Sequence, residues 1–230
     1  MKKMWISDKG LVEEIMNIFH SDYPVVMFQL PTVYTLIAPP THAGAQALNH
    51  AKQRLPEKNY GSAIGNLNAF HRLANKGSLP EELDSPEKLE LFSGAFMRID
   101  VGDSDFNSVL VRSGTHQGLL LNWPFRDVFI ALEKAIKPLV EPELFQGKSY
   151  ASVLCTSANL SGDPKGSITK WRRARRFARK RAIKLIIRTH STADVLGSYP
   201  IFHLTPNKVE IKRHGPREKE IMGRLPERLR

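Results

Sequence analysis

The chain has 230 residues, of which 41% are hydrophobic, and a formal net charge of +11. This length and apolar content predict one domain around one well-buried core. The single cysteine, Cys155, excludes an internal disulfide framework and a cysteine-rich zinc site. The first ten residues lack the apolar run of a signal peptide, and no stretch reaches the roughly 20 apolar residues that cross a bilayer. We therefore expect a reducing, cytoplasmic setting and no membrane partner.

Hydrophobic periodicity predicts alternating helices and strands in the first half of the chain. Apolar residues recur at helical spacing over 11–19, and a β-rich run over 24–30 predicts a buried strand. The other predicted elements of this half are a helix at 42–54, a short strand at 60–66, a helix at 67–75, an exposed loop at 76–88, and strands at 96–101 and 107–112.

The second half continues the same alternation. Its predicted elements are an amphipathic helix at 127–140, a strand at 152–156, a basic helix at 167–181 and a strand at 184–189. Alternating helices and strands indicate an α/β fold with a mixed or largely parallel sheet. Residues after Gly215 have no clear apolar periodicity, so we expect a domain at 1–216 and a loosely held basic tail at 217–230.

The basic residues are concentrated in one interval. No acidic residue lies between Asp163 and Asp194, whereas 11 of the 34 basic residues do. The remaining 23 basic residues equal the 23 acidic ones, so the net charge resides in this interval. Such a block attracts polyanions and is screened by salt. The basic residues of the interval are Lys165, Lys170, Arg172, Arg173, Arg175, Arg176, Arg179, Lys180, Arg181, Lys184 and Arg188.

Two early stretches offer groups that suit a ligand. Thr32 follows a predicted strand, and a hydroxyl at the carboxyl end of a strand is well placed for a ligand in an open α/β sheet; ordinary loop structure is the alternative. Lys52 and Arg54 stand near the end of a predicted helix, where they could converge on a phosphate or a carboxylate. Their alternative role is to complement the helix dipole.

Two later stretches could complete such a site. The residues after the strand at 152–156 are Thr156-Ser157-Ala158-Asn159-Leu160-Ser161-Gly162, a run of small polar groups with a glycine that permits close backbone approach. Such a loop could hold a phosphate or a ribose, or it could simply be a capped turn. Ser198 and the later run Lys212-Arg213-His214-Gly215 say little alone. The eight histidines show no metal-binding spacing, so we expect no metal held by the protein.

Taken together and in order, these stretches resemble the YrdC-like family, best known for threonylcarbamoyl-adenylate synthases. The matching runs are PTVYTL at 31–36, KQR at 52–54, VRSGTH at 111–116, TSANLSG at 156–162, GSYPIFHL at 197–204 and KRHG at 212–215. The resemblance implies a single-domain α/β fold, with an open twisted mixed sheet flanked by helices and a basic concave face. PTVYTL is two residues shorter than the family pattern, and Tyr199 stands where the family has threonine.

The resemblance also implies a reaction, in which ATP, L-threonine and bicarbonate give threonylcarbamoyl-AMP and pyrophosphate for the modification of adenosine 37 in tRNA. Magnesium would arrive with the ATP. Lys52 and Arg54 would hold phosphate and developing carboxylate charge, and Thr32 would help to seat threonine. The groups that would bind the nucleotide or the amino acid are Arg112, Ser157, Asn159, Ser198 and Arg213.

Two alternatives to this synthase remain open. One is a non-catalytic relative that binds a nucleotide or double-stranded RNA, and the other is carbamoyl transfer to another amino acid or acceptor. The basic helix adds RNA as an expected partner, because arginine dominates it and suits phosphate binding and base stacking. A solvated helix face is the alternative there. The candidate RNA-binding residues are Arg172, Arg173, Arg176 and Arg179.

Overall fold

The computed structural model describes residues 1–54, 59–190 and 192–230. Within these ranges the strands are β1 Lys2–Trp5, β2 Val26–Gln29, β3 Tyr34–Ala38, β4 Gly61–Ile64, β5 Ala95–Asp100, β6 Thr115–Leu120, β7 Leu154–Ser157, β8 Leu185–Arg188, β9 Ile201–Thr205 and β10 Lys208–Arg213. The helices are α1 Leu11–Phe19, α2 His42–Lys52, α3 Leu67–Leu73, α4 Pro86–Leu89, α5 Phe125–Ile136, α6 Trp171–Lys180 and α7 Glu218–Arg224.

The strands form one open mixed sheet, in the order β1-β8-β2-β3-β7-β4-β6-β5-β9-β10. The pairs β1–β8, β8–β2, β4–β6 and β5–β9 are parallel, and the others are antiparallel. The predicted class of fold, an α/β protein with a single open mixed sheet, is therefore confirmed. No helix in the described ranges combines the length and the apolar content needed to cross a membrane.

Helices cover both faces of the sheet because successive strand residues point to opposite sides. In β2, Val26 and Phe28 belong to a core with the apolar faces of α1 and α5. Met27, between them, belongs to a second core that receives residues of α2, α3, α6 and α7. The sequence of β2 is apolar throughout because both of its faces are buried.

Two predicted elements of the first half are wrong. Residues 76–88 do not form an exposed loop, because Leu79 and Leu83 are buried in the core and α4 begins within the segment. Residues 107–112 do not form a strand; β5 pairs with β6 instead. The chain reverses at Gly114, where φ is +69° and a Cβ atom would lie 2.5 Å from the carbonyl oxygen of Asp103. Local β-propensity over 107–112 did not reveal this reversal.

The C-terminal residues are not loosely held. Helix α7 forms after Gly215, and Ile221, Leu225 and Leu229 are buried in the same core as Phe92 and Phe202. Three buried apolar residues, spread over a seven-residue helix and the turn after it, are too few to give a recognisable helical periodicity in the sequence. Strands β1, β3, β6, β9 and β10 were likewise not predicted.

We predict that Ile221→Ala destabilises the protein by about 2–4 kcal/mol, because it leaves a cavity in a core that the surrounding side chains cannot fill. Urea unfolding followed by circular dichroism measures the change. The exposed Lys219→Ala on the same helix is the matched control and should leave the stability nearly unchanged. Equal stability of Ile221→Ala and the wild type would show that the tail is only loosely attached in solution.

Candidate nucleotide-binding cleft

A cleft of about 210 Å³ opens on the sheet face that carries α1 and α5. Ile37 and Ala63 lie in the core on this face. Thr35 and Gly61 stand two residues earlier on the same strands, point to the same face, and line the cleft. The strands therefore bury apolar side chains toward one end and present small or polar positions to the cleft toward the other.

Lys52 joins α2 to the loop that follows β7. It is the last residue of α2 and only 3% exposed, and its ammonium donates to the carbonyl oxygens of Ser157 and Asn159, the latter at 2.9 Å. In return the amide of Ser161 donates to the carbonyl oxygen of Lys52 at 2.9 Å. This clasp brings KQR and TSANLSG together although they are about a hundred residues apart in sequence.

The polar side chains of the loop after β7 are ordered by one another. The Ser157 hydroxyl donates to Asn159 Oδ1 at 2.7 Å, and Asn159 Nδ2 donates to the Leu160 carbonyl oxygen at 2.7 Å. Both side chains line the cleft and are partly exposed. They form a rim of small donors and acceptors that can exchange these internal bonds for bonds to a ligand.

Arg54 stands on the opposite rim, after Gln53 ends the helix in a left-handed conformation. Its guanidinium lies 4.1 Å from the ring centroid of Tyr60 and donates to the carbonyl oxygen of Asn59. Burial lowers the pKa of Arg54 from its usual value, but an arginine keeps its charge at neutral pH. A half-buried guanidinium held against an aromatic ring is a pre-oriented binding group for a phosphate or a carboxylate.

Ser198 and Arg213, from the C-terminal part of the chain, also line the cleft. Arg213 donates through Nε and Nη2 to the carbonyl oxygen of Tyr199, at 3.0 and 2.7 Å. The two segments approach so closely that a Cβ atom on Gly215 would lie 2.5 Å from the carbonyl oxygen of Ser198. This approach explains why glycine ends the KRHG run.

A second cavity, of about 360 Å³, continues from the cleft past Arg54. It contains Arg112, which sequence analysis predicted as a nucleotide-binding residue, and Arg98, which it did not. The pKa of Arg98 is lowered first by burial and then by the charge of Arg112, and Arg98 in turn contributes to the lowered pKa of Arg213. These guanidiniums therefore lie close enough to repel one another, and an anion between them would relieve the repulsion.

Thr32 and Arg112 are the predicted nucleotide- or amino-acid-binding residues that do not line the cleft itself. Arg112 lines the second cavity, whereas Thr32 lines a separate cavity of about 230 Å³, where its hydroxyl is buried. Tyr199 lines both this cavity and the cleft, and its buried hydroxyl lies close to Thr32. Tyr199 is therefore the residue that Thr32's cavity shares with the cleft.

Sequence analysis missed several lining residues. Arg98 and Gln117 lie on the short strands β5 and β6, Asn59 lies just before β4, and no motif singled them out. The register of β5 and β6 places Arg98 beside Gln117, but that pairing was not predicted because 107–112 was taken for a strand. Cys155 lines the cleft as well, and burial raises the pKa of its thiol to about 12. A neutral buried thiol fits the structural role that sequence analysis favoured.

The predicted RNA-binding residues lie on α6, on the other face of the sheet. Ala174 and Ala178 are buried in the core, whereas Arg172, Arg176 and Arg179 are exposed. Arg173 has a different environment: it pairs with Asp163 at 2.7 Å and donates to the carbonyl oxygens of Lys165 and Gly166. Arg173 thus holds the loop before α6, and the exposed arginines form a separate row.

His116, the last residue of VRSGTH, is buried in the core. Its Nδ1 lies 2.8 Å from the carbonyl oxygen of Leu110 and its Nε2 lies 2.9 Å from the Ser62 hydroxyl. Because a carbonyl only accepts, Nδ1 carries the proton and Nε2 accepts from Ser62 in the neutral ring. Burial lowers the pKa of His116 to about 4. This histidine anchors the 110–116 reversal beneath Arg112.

No protein-family model matches the chain, and no curated protein matches it. Solved structures do match. Sua5 from P. abyssi in complex with L-threonine has a TM-score of 0.66 at 19% identity, over 98% of this chain and 62% of Sua5. YciO from E. coli has a TM-score of 0.63 at 14% identity, over 94% of this chain and 96% of YciO.

A third similar structure is full-length HypF in a phosphate- and nucleotide-bound form, with a TM-score of 0.58 at 12% identity over 87% of this chain and 28% of HypF. The chain spans less than two thirds of the length of Sua5. At these identities the comparisons define the class of fold that the chain has. It is the fold of Sua5 and YciO, and the resemblance to the YrdC-like family is confirmed at that level.

We predict that His116 makes stability depend on pH between about 4 and 6.5. The unfolded chain takes up a proton as the pH falls through 6.5, and the folded chain does not until about pH 4. The contribution is therefore fully present above pH 6.5 and is lost on acidification, by roughly 3 kcal/mol at most.

Urea unfolding of the wild type and His116→Gln at pH 7 and pH 5 measures this contribution. The glutamine has no titrating group, so stability should fall less between the two pH values. The exposed His20→Gln is the control and should behave like the wild type. An identical fall in stability for the wild type and His116→Gln would refute the assignment.

Proposed function

We propose that this chain binds ATP in the cleft and acts as an L-threonylcarbamoyladenylate synthase-like nucleotidyltransferase. The observation that carries the proposal is the convergence of Lys52 and Arg54 with Ser157 and Asn159 in one cleft. Cations on one rim and small hydrogen-bonding groups on the other suit a nucleotide phosphate and its ribose. The product would serve the modification of adenosine 37 in tRNA.

The proposed reaction balances with ATP, L-threonine and bicarbonate as substrates. The amine of threonine and bicarbonate give a carbamate with loss of water. A carbamate oxygen then attacks the α-phosphorus of ATP, and pyrophosphate leaves with the magnesium that accompanied the nucleotide. No covalent intermediate on the protein is needed, so catalysis would consist of positioning and of stabilising charge.

The cleft residues would divide this work by location. Arg54 and Arg213 would neutralise charge on the α-phosphate and the carbamate, because both residues line the cleft. Arg98 and Arg112 would take the two terminal phosphates in the adjoining cavity. Lys52 would act mainly by fixing the loop that carries Ser157 and Asn159, since its ammonium already donates to that loop.

Tyr199 supports the alternative that the chain is a non-catalytic nucleotide-binding relative. It lines the cleft, whereas Thr32, the residue that the resemblance implies for threonine, lines only the adjoining cavity. The same difference would also fit carbamoyl transfer to a different amino acid. Incubation with ATP, bicarbonate and each amino acid in turn, assayed for pyrophosphate and an adenylate product, separates the three. Binding of ATP without any product would select the non-catalytic protein.

We predict that Arg54→Ala weakens ATP binding by about ten- to hundredfold, because it removes a half-buried, charge-assisted phosphate contact. Isothermal titration calorimetry measures the affinity. Arg176→Ala is the matched control, since Arg176 is a solvated arginine on the other face of the sheet. Equal affinities of the two variants for ATP would contradict the placement of the phosphates in the cleft.

A second proposed activity is RNA binding by α6. Arg172, Arg176 and Arg179 are exposed along one side of this helix, and a shallow groove of about 420 Å³ runs between them and Trp171. A row of guanidiniums suits the phosphates of a structured RNA, with backbone-directed rather than sequence-specific recognition. The basic interval between Asp163 and Asp194, which includes α6 and accounts for the net charge of the chain, supports the same partner.

We predict that RNA affinity falls steeply with salt, because binding releases counterions. Changing Arg172, Arg176 and Arg179 together to Glu should abolish binding of a hairpin RNA and leave ATP affinity nearly intact. Arg173 is kept in this variant because it pairs with Asp163. Fluorescence anisotropy over a series of salt concentrations measures both effects. RNA binding that is insensitive to salt, or unchanged in the triple variant, would exclude α6 as the RNA site.

A further inference from the structure

Four planar side chains form a continuous stack beside the start of α6. The rings of His190 and Trp5 are 3.8 Å apart at their centroids and within 9° of parallel. The Arg188 guanidinium lies over both tryptophan rings, 4.7 Å from the centroid of Trp5 and 4.5 Å from that of Trp171. The stack therefore runs His190, Trp5, Arg188, Trp171, and joins the end of β8 to the edge strand β1 and to α6.

The two ends of the stack differ in exposure. At the Trp171 end, Tyr34 lies 6.5 Å away between ring centroids and the Lys3 ammonium lies 5.7 Å from the ring. At the other end His190 is exposed to solvent. A further planar group can therefore extend the stack at His190, and every nucleobase offers such a planar face.

The stack is continuous with the arginine row. Trp171 is its last member and also the first residue of α6, and it lines the groove formed with Arg172, Arg175, Arg176, Arg179 and Lys180. A chain molecule that lies in this groove can thus reach His190 by passing along the stack. The distance from Trp171 to His190 is at most the sum of the three separations in the stack, which a few nucleotides of an extended strand can span.

The chemistry of this surface favours RNA over other polyanions. An anionic membrane would bind a helix whose apolar side can enter the lipid, but Ala174 and Ala178 on α6 are buried against the sheet. An acidic protein would form ion pairs with the arginines, but ion pairing does not involve an exposed planar ring at the end of a stack. Phosphates spaced along a strand with unstacked bases use both features.

We propose that an RNA strand lies with its phosphates along the exposed arginines of α6 and stacks one unpaired base on His190. This inference rests on the RNA binding proposed for α6 and adds a position at which a base, not only the backbone, is held. The base would be selected for being unpaired, because a base inside a duplex cannot present a free face to His190.

The test uses a hairpin RNA with a short single-stranded extension, in which 2-aminopurine replaces one base at a time. We expect the fluorescence of 2-aminopurine to be quenched on binding at one position of the extension, and His190→Ala to abolish that quenching. His190→Ala should also weaken binding roughly five- to tenfold. His190→Phe should restore both, because stacking needs a ring and no charge. His20→Ala is the matched exposed-histidine control.

The salt dependence separates this inference from the proposal that it rests on. His190→Ala should weaken binding without changing the slope of affinity against salt, whereas changing Arg172, Arg176 and Arg179 together to Glu should abolish binding. Binding in His190→Ala equal to the wild type, with binding still lost in the arginine variant, would overturn the base site and leave the α6 site standing. Absence of RNA binding by the wild type, or binding to phosphatidylserine vesicles instead, would overturn both.

Discussion

The cleft depends on one buried ammonium. Lys52 ends α2 and donates to two carbonyl oxygens of the loop that follows β7, in an environment where it is 3% exposed. Removing the ammonium would take the shared donor away from both carbonyls, and a hydrogen bond to a charged group contributes about 1.5–3 kcal/mol. The clasp thus fixes the distance between the two rims of the cleft, and it also sets where Arg54 leaves the helix.

The cations around the cleft impose a second constraint. Burial first and then the charge of Arg112 lower the pKa of Arg98, and burial first and then the charge of Arg98 lower the pKa of Arg213, so the protein holds these cations together against repulsion. The sheet makes this possible, because β5 and β10 belong to the rigid scaffold and cannot relax apart. An anionic ligand that binds only the folded protein would offset the repulsion and raise stability by mass action. The clustered arginines therefore lower the stability of the ligand-free protein and favour the binding of a phosphate-rich ligand.

The parts of the molecule that sequence analysis predicted well are those whose signals are local. Helix α1 is observed over the predicted residues because its apolar positions repeat at helical spacing. KQR and TSANLSG could be identified as ligand-binding candidates because their chemistry lies in consecutive residues. Arg98 in the adjoining cavity and Tyr199 in the cleft could not, since their positions follow from strand register and from the approach of 213–215 to 198–200. The charge of the sequence alone predicted the basic helix. The ion pair between Arg173 and Asp163 could be identified only from the folded structure.

The sheet separates two surfaces whose residues are close together in the amino-acid sequence. The loop after β7 faces the cleft, and α6, only nine residues after Gly162, packs on the opposite face. The Ser167 and Ser198 hydroxyls are hydrogen-bonded to each other where the two surfaces approach. A ligand in the cleft and an RNA on α6 could therefore be bound at the same time. Binding to one surface could also influence the other through the segment at 163–170.

The central claim is that the two rims joined by Lys52 enclose the phosphates of ATP. A crystal structure of the protein with a non-hydrolysable ATP analogue tests it most directly. The account predicts the α-phosphate within hydrogen-bonding distance of the Arg54 guanidinium, with the ribose or phosphate oxygens contacting Ser157 or Asn159. An analogue bound away from 52–54 and 157–162, with the Lys52 clasp unchanged around an empty cleft, would contradict it.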